Sequence, residues 1–106
     1  MHADCIFCKI VAKQIPATVI AENKDVLVIK DIAPQAPIHY LIVPKMHVVD
    51  ISQLPADGGS LAGALLMMAK ELSQLPRCEQ FKLQSNNGPR AGQVVFHIHL
   101  HFLAGF

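Results

Sequence analysis

The sequence predicts one α+β domain over residues 1–106, an antiparallel sheet of about five strands with one long helix. Three observations carry this. A chain of 106 residues holds one hydrophobic core and is too short for two. Short β-branched runs bounded by turn residues flank a single apolar stretch of helical length. An apolar share of 52% against 16% charged residues excludes a disordered chain, and five Phe, one Tyr and no Trp make the expected core aliphatic.

Residues 18–21 and 26–30 read as two strands of a hairpin, joined by Glu22-Asn23-Lys24-Asp25, a turn composition. Pro34 and Pro37 disallow a ladder over residues 31–37, so the next strand is expected at 38–43, ended by Pro44. A helix is expected from about residue 54, with Pro55 in its first turn, to Leu75, where Pro76 stops it. Gly58 and Gly59 weaken its start. Residues 61–69 of this helix carry no charge, whereas a surface helix keeps one polar face, so it is expected to be covered on both sides, the second cover being another copy of the chain. Strands at 81–85 and 94–102, separated by the Asn- and Gly-rich loop 86–92, complete the order β-β-β-α-β-β.

Nine Lys and Arg against eight Asp and Glu leave a net charge of +1 with no basic block, which disfavours nucleic-acid binding. No apolar run reaches the roughly 20 residues of a membrane span, and Met1-His2-Ala3-Asp4 has no signal-peptide character. A cytoplasmic protein is expected. The three cysteines agree, because Cys5-x-x-Cys8 suits metal or redox chemistry more than a secreted disulfide framework, and Cys78 is expected to be a small buried hydrophobe.

His97-Ile98-His99-Leu100-His101-Phe102 alternates with period two, which on a strand places three imidazoles on one face, about 6.5–7 Å apart. Imidazole serves as ligand, general acid/base or nucleophile. Cys5 and Cys8 with two histidines would complete a Cys2His2 zinc tetrahedron, and spacing alone does not say which two. Three histidines on one strand cannot all reach one ion over bonds of about 2.0–2.1 Å. The loop 85–93 has the composition of an anion-binding loop, since Gly lets backbone N–H groups approach a phosphate.

Phe96-His97-Ile98-His99-Leu100-His101-Phe102-Leu103 resembles the His-φ-His-φ-His-φ-φ signature of the histidine triad superfamily. Cys5-Ile6-Phe7-Cys8-Lys9-Ile10, Ile15-Pro16, the segment from Asp31 to His39 and Ile42-Val43-Pro44-Lys45-Met46-His47 are similar, in order and spacing, to its nucleotide-binding branch, that of protein kinase C interacting protein. The resemblance covers nearly the whole chain.

That resemblance implies a hydrolase releasing purine nucleoside 5′-monophosphates from phosphoramidates through a covalent nucleotidyl-histidine. It makes His99 the nucleophile, gives the carbonyl of His97 the task of holding its tautomer, and sets His101 against a phosphate oxygen. It implies a structural zinc on Cys5, Cys8, His47 and His97. Asp31 would bind the ribose, Ile6, Phe7, Ile10 and Ile32 the base, and Asn86, Gly92 and Gln93 the phosphate region. His39 would orient the triad. Read without the resemblance, Asp31 is a turn cap ahead of Pro34. A homodimer through the helix at 61–75 is expected. Hydrolysis of dinucleoside polyphosphates, or nucleotide binding as a non-catalytic scaffold, are the alternatives. The chain departs from close relatives at Val94, where they often carry Ser, and at Ala91-Gly92, where they often carry Gly-Gly. It also stops at Phe106, where many relatives continue into a tail.

Overall fold

The structure, a computed structural model, describes residues 4–106. In chain order its elements are α1 (Ile6–Val11), β1 (Val19–Glu22), β2 (Val26–Lys30), β3 (Ile38–Pro44), a 3-10 turn at Ile51–Gln53, α2 (Gly59–Leu72), β4 (Phe81–Gln84), a second 3-10 turn at Pro89–Ala91, and β5 (Leu100–Ala104). The five strands form one antiparallel sheet in the order β1-β2-β3-β5-β4. Residues 1–3, which belong to the Met1-His2-Ala3-Asp4 start read above for signal-peptide character, lie outside the described residues.

Strand periodicity divides the apolar residues between two cores. Val26 and Val28 of β2, Ile42 of β3 and Phe102 and Ala104 of β5 face α2, packing on Leu65, Met68, Ala69 and Leu72. Leu27, Ile29, Leu41 and Val43 point to the opposite face and meet Phe7 of α1. Because successive strand side chains alternate, β2 and β3 carry near-continuous apolar runs, as strands buried on both faces do. The β1–β2 turn is closed by Asn23, whose Oδ1 accepts from the backbone N–H groups of Asp25 and Val26, each at 2.9 Å; an Asn side chain here replaces a backbone carbonyl. Cys78 is fully buried in the core under α2.

Phe102 is the largest side chain buried completely, stacked between Tyr40 and Phe81 at centroid distances of 6.2 and 4.8 Å. Phe102→Ala is expected to destabilise the fold by about 3–5 kcal/mol, the sum of lost transfer energy and a cavity. Urea unfolding measures this, and a loss under about 1 kcal/mol would contradict the packing described.

Three boundaries differ from the sequence expectation. The helix α1 was not expected at all; it has only six residues, is capped by Cys5 Sγ accepting from the Cys8 N–H at 3.3 Å, and owes its place to Phe7 in the second core. The long helix starts at Gly59, not near 54, because the Gly58 N–H closes a separate turn on the Pro55 carbonyl at 2.8 Å, and it ends at Leu72. The last strand starts at Leu100, not 94. Its ladder with β3 reaches Ile42↔Leu100, and the next rung would fall on Pro44, which has no N–H to give. The Ile98 N–H instead donates to the Val48 carbonyl at 2.6 Å, so residues 94–99 run as an irregular arm beside the sheet. The second cover expected for α2 is not supplied by this chain: Leu66 and Met67 are 57% and 58% exposed.

Candidate functional site

The irregular arm separates the three histidines that a straight strand would have aligned. His97 is wholly buried on one side, while His99 and His101 open into a cavity on the other. The rings of His99 and His101 lie 5.1 Å apart, closer than strand spacing gives.

His97 donates Nε2–H to the Pro44 carbonyl at 2.7 Å, which leaves the Nδ1 lone pair facing inward. That Nδ1 is 3.2 Å from Cys5 Sγ, 3.7 Å from Cys8 Sγ and 3.2 Å from His47 Nδ1, and Cys8 Sγ is 3.3 Å from His47 Nδ1. Bonds of about 2.0–2.3 Å to a tetrahedral ion separate its donors by about 3.3–3.8 Å. The donor set, two thiols and two imidazoles, and its spacing therefore fit a closed zinc site, with the Pro44 carbonyl fixing one ligand's tautomer. Burial pushes the Cys5 thiol up. Metal binding would have to displace that proton.

His99 donates Nδ1–H to the His97 carbonyl at 2.8 Å, so its Nε2 carries the lone pair. Burial pushes its imidazole below the ordinary value, outweighing the opposing pull of that hydrogen bond and of Asp31. Phe7 meets it edge-on, 5.1 Å between centroids. The result is a neutral imidazole with a fixed tautomer and an unprotonated nitrogen.

His101 sits in a chain of bonds whose direction a backbone amide sets. The Gln35 N–H donates to His39 Nδ1 at 3.0 Å, so neutral His39, itself buried, keeps its proton on Nε2. That Nε2–H points at His101 Nδ1 at 2.9 Å and at Asp31 Oδ2 at 3.3 Å. His101 then accepts at Nδ1 and holds its own proton on Nε2. Burial first, then the neighbouring His99 and His39, lower its pKa. Asp31, His39 and His101 also lie close enough together to resemble a metal site. The Gln35 amide argues against one, because it makes His39 Nε2 a donor rather than a ligand.

The cavity holding His99 and His101 has a volume of about 1050 Å³. Its apolar side is built by Ile6, Phe7 and Ile10 of α1 and by Ile29 and Leu41 of the sheet, and Asp31 and Ile32 stand at its edge. Asp31 also caps the following turn, Oδ1 accepting from the Ala33 N–H at 2.7 Å, so both sequence readings of this residue describe it. Ile15, Pro16, Ala17 and Thr18 line the same cavity, a wall that the sequence did not predict.

Asn86, Gly92 and Gln93 are placed apart from this cavity's wall. Asn86 Nδ2 donates to the Ala91 carbonyl at 2.8 Å. The N–H groups of Ala91, Gly92 and Gln93 all bond carbonyls within the loop, each at 3.1 Å, and that of Gly88 donates to Gln93 Oε1 at 2.8 Å. Gly88 and Gly92 take φ of 93° and 95°, left-handed values that let the loop close on itself. Buried Gln93 is its pin, Nε2 donating to the carbonyls of Val49 and Val95 at 2.6 and 3.1 Å.

Comparison with known proteins returns one consistent likeness. The family model described as the HIT domain matches residues 12–106. An uncharacterised HIT-like protein of Synechocystis sp. is 43% identical over 106 residues, covering 99% of this chain and 93% of its own. Among solved structures, a HIT family hydrolase from Clostridium thermocellum superposes with a TM-score of 0.95 at 35% identity, covering 100% of this chain and 94% of its own. A histidine triad nucleotide-binding protein from Candida albicans gives 0.83 at 32%, covering 95% and 74%.

Proposed function

The chain belongs to the HIT domain family, and on that premise we propose that it is a hydrolase of purine nucleoside 5′-phosphoramidates working through a nucleotidyl-histidine. The observation that carries this is the His99 imidazole: buried, held by the His97 carbonyl, and presenting an unprotonated Nε2 on the wall of an apolar cavity edged by a carboxylate. The names of the similar proteins support hydrolase chemistry and a nucleotide as ligand.

In the first step His99 Nε2 attacks the α-phosphorus. The P–N bond breaks with its electron pair going to nitrogen, which leaves as an amine after taking a proton from solvent. Nε2–H of His101 bonds a non-bridging oxygen and stabilises the charge gathering there. In the second step water attacks phosphorus, loses a proton to solvent, and the bond from phosphorus to His99 breaks, freeing the nucleotide. The base occupies the slot of Ile6, Phe7, Ile10 and Ile32, and Asp31 takes the ribose hydroxyls. His39 acts through His101, whose tautomer it sets. Cys5, Cys8, His47 and His97 hold a structural zinc, which when bound ties the N-terminal segment to the strand end at Pro44.

The direct test is release of AMP from adenosine 5′-phosphoramidate, run beside diadenosine tetraphosphate. Faster release from the phosphoramidate supports the reading; faster cleavage of the tetraphosphate favours the dinucleoside polyphosphate alternative, and no cleavage of either leaves a binding module. The pH profile is a second measurement. Only the neutral ring attacks, and burial lowers the pKa of both His99 and His101, so the neutral forms persist to lower pH. The acid limb of kcat/KM is expected below the ordinary histidine value of about 6.5, and a limb centred above about 7 would contradict this.

The partner of this domain is a second copy. The exposed Leu66 and Met67 of α2 lie in a chain whose edge strand β4 also leaves Phe81 and Leu83 more than one-third exposed, and a twofold axis covers such a surface with itself. Leu66→Glu with Met67→Glu is expected to convert a sedimenting dimer into the 11.6 kDa chain. A metal-binding Cys5/Cys8 pair and the buried Cys78 thiol fit the reducing cytoplasm. Among the described residues no helix is long and apolar enough to cross a membrane.

A further inference from the structure

We infer that Cys5 and Cys8 are a peroxide-sensitive pair, closing to a disulfide that dismantles the zinc cluster and switches off the active site through His97. This inference rests on the zinc and hydrolase readings and gives them a regulation.

The pair stands where such a bond forms without rebuilding the backbone. Cys5 is the N-cap of α1 and Cys8 its third residue, and the Cys8 N–H donates to Cys5 Sγ at 3.3 Å. Both sulfurs belong to a set of donor atoms that all lie within 4.8 Å of one another, so turning the two side chains brings them to the S–S distance of about 2.05 Å. A C-x-x-C pair at the start of a helix is the arrangement of redox-active dithiols. Cys78 is not a candidate partner, because it lies in the core under α2, across the sheet from Phe7 and α1.

Access separates the two sulfurs. Cys5 is half-buried and lines a second cavity, of about 410 Å³, with Asp4, Ile6 and His47, whereas Cys8 is 4% exposed and has no part in that wall. Ile6 and Val94, also on the wall, are 45% and 83% exposed, so solvent reaches it. Hydrogen peroxide, small and uncharged, enters with the solvent; glutathione disulfide, larger and anionic, meets the Asp4 carboxylate. An ion on the cluster would hold both sulfurs as thiolates, the form that attacks a peroxide.

Exposed Cys5 reacts first and buried Cys8 resolves. Cys5 Sγ attacks one peroxide oxygen, the O–O bond breaks, and hydroxide leaves and takes a proton from solvent, giving a sulfenic acid. Cys8 Sγ then attacks Cys5 Sγ, and the S–O bond breaks with its electron pair leaving on a second hydroxide, again protonated to water. The two thiolates together lose two electrons, and one peroxide is reduced to two waters. A disulfide no longer offers two thiolate donors, so His47 and His97 alone face the ion and it is released. His97 is then untethered at Nδ1, and its carbonyl is the group that holds His99 Nδ1–H at 2.8 Å. Loss of the ion thus reaches the nucleophile through one residue.

The experiment first measures zinc content and AMP release from adenosine 5′-phosphoramidate in the reduced protein, then titrates the zinc-loaded protein with hydrogen peroxide. A chromogenic chelator records released zinc, and peptide mass mapping locates the oxidised cysteines. The expected result is one zinc released for each Cys5–Cys8 disulfide, a chain lighter by two hydrogens, and turnover reduced on the order of 100-fold, the scale of a misplaced reacting group. Dithiothreitol with added zinc is expected to restore thiols, metal and turnover, and Cys78→Ala to respond as the wild type does. Zinc-loaded protein that keeps both thiols under peroxide, or that shows sulfinic acid on Cys5 or a disulfide to Cys78 instead, would overturn the switch. So would the Cys5–Cys8 bond with zinc retained or turnover unchanged. Each of these leaves the zinc and hydrolase readings standing. Reduced protein without zinc, or without turnover, overturns the corresponding reading and the switch with it.

Discussion

Replacing His99 with alanine is expected to remove turnover by about 10⁴-fold or more, because the variant has no nucleophile and loses the covalent route entirely. Acid-labile nucleotidyl-enzyme should vanish with it. His101→Ala is expected to behave differently in kind, slowing turnover by about 10²–10³-fold through the loss of one donor to the developing charge while adduct remains detectable. The difference follows from the tautomers. The His97 carbonyl frees Nε2 of His99, whereas the path from Gln35 through His39 leaves His101 a donor. Mass spectrometry of rapidly quenched reactions decides the matter; an adduct on another residue, or undiminished turnover by His99→Ala, would refute the mechanism.

Removing the proposed structural zinc is expected to have the second large effect. Cys5 caps α1 and Cys8 lies in its first turn, His47 follows β3, and His97 sits on the arm before β5, so one ion at their meeting point would crosslink segments far apart in sequence. Structural zinc binding is worth on the order of 10 kcal/mol in small sites. Even partial loss of that in a chain of this size moves the melting temperature by 4–8 °C per kcal/mol, roughly. Chelation is therefore expected to lower the melting temperature by more than about 10 °C, and Cys8→Ser to mimic it. The proposed ion would support catalysis indirectly, since the carbonyl that orients His99 belongs to His97. Metal analysis of protein purified without chelator is the check, and protein that is metal-free with intact thiols and unchanged by chelation would end the proposal.

The α+β class was legible in the sequence because it depends on local properties. Continuous β-branched runs such as Val26-Leu27-Val28-Ile29 and prolines at 34, 37 and 44 act over a few residues, and the first four strands and the main helix lie where such signals put them, to within their ends, while the last strand is shorter and later than expected. The family was legible for a related reason, since a histidine repeat and its upstream segments are short, ordered strings. Helix α1 was not legible, as six residues form a helix only when a cap and a core hold them; here those are Cys5 and the pocket for Phe7.

What the sequence could not determine is how the three histidines divide their work. Alternation from 97 to 102 pointed to one face of one strand, yet the strand begins only at Leu100 because its neighbour at the next rung is a proline, 53 residues from His97. That missing N–H releases the arm, lets His97 turn to the Pro44 carbonyl and the cysteines, and leaves His99 and His101 to the cavity. The residue types and their order are properties of the chain. Their division into a buried cysteine–histidine cluster, an imidazole with an unprotonated Nε2 and an oriented donor is decided by hydrogen bonds between segments distant in sequence, which only the folded structure brings within reach.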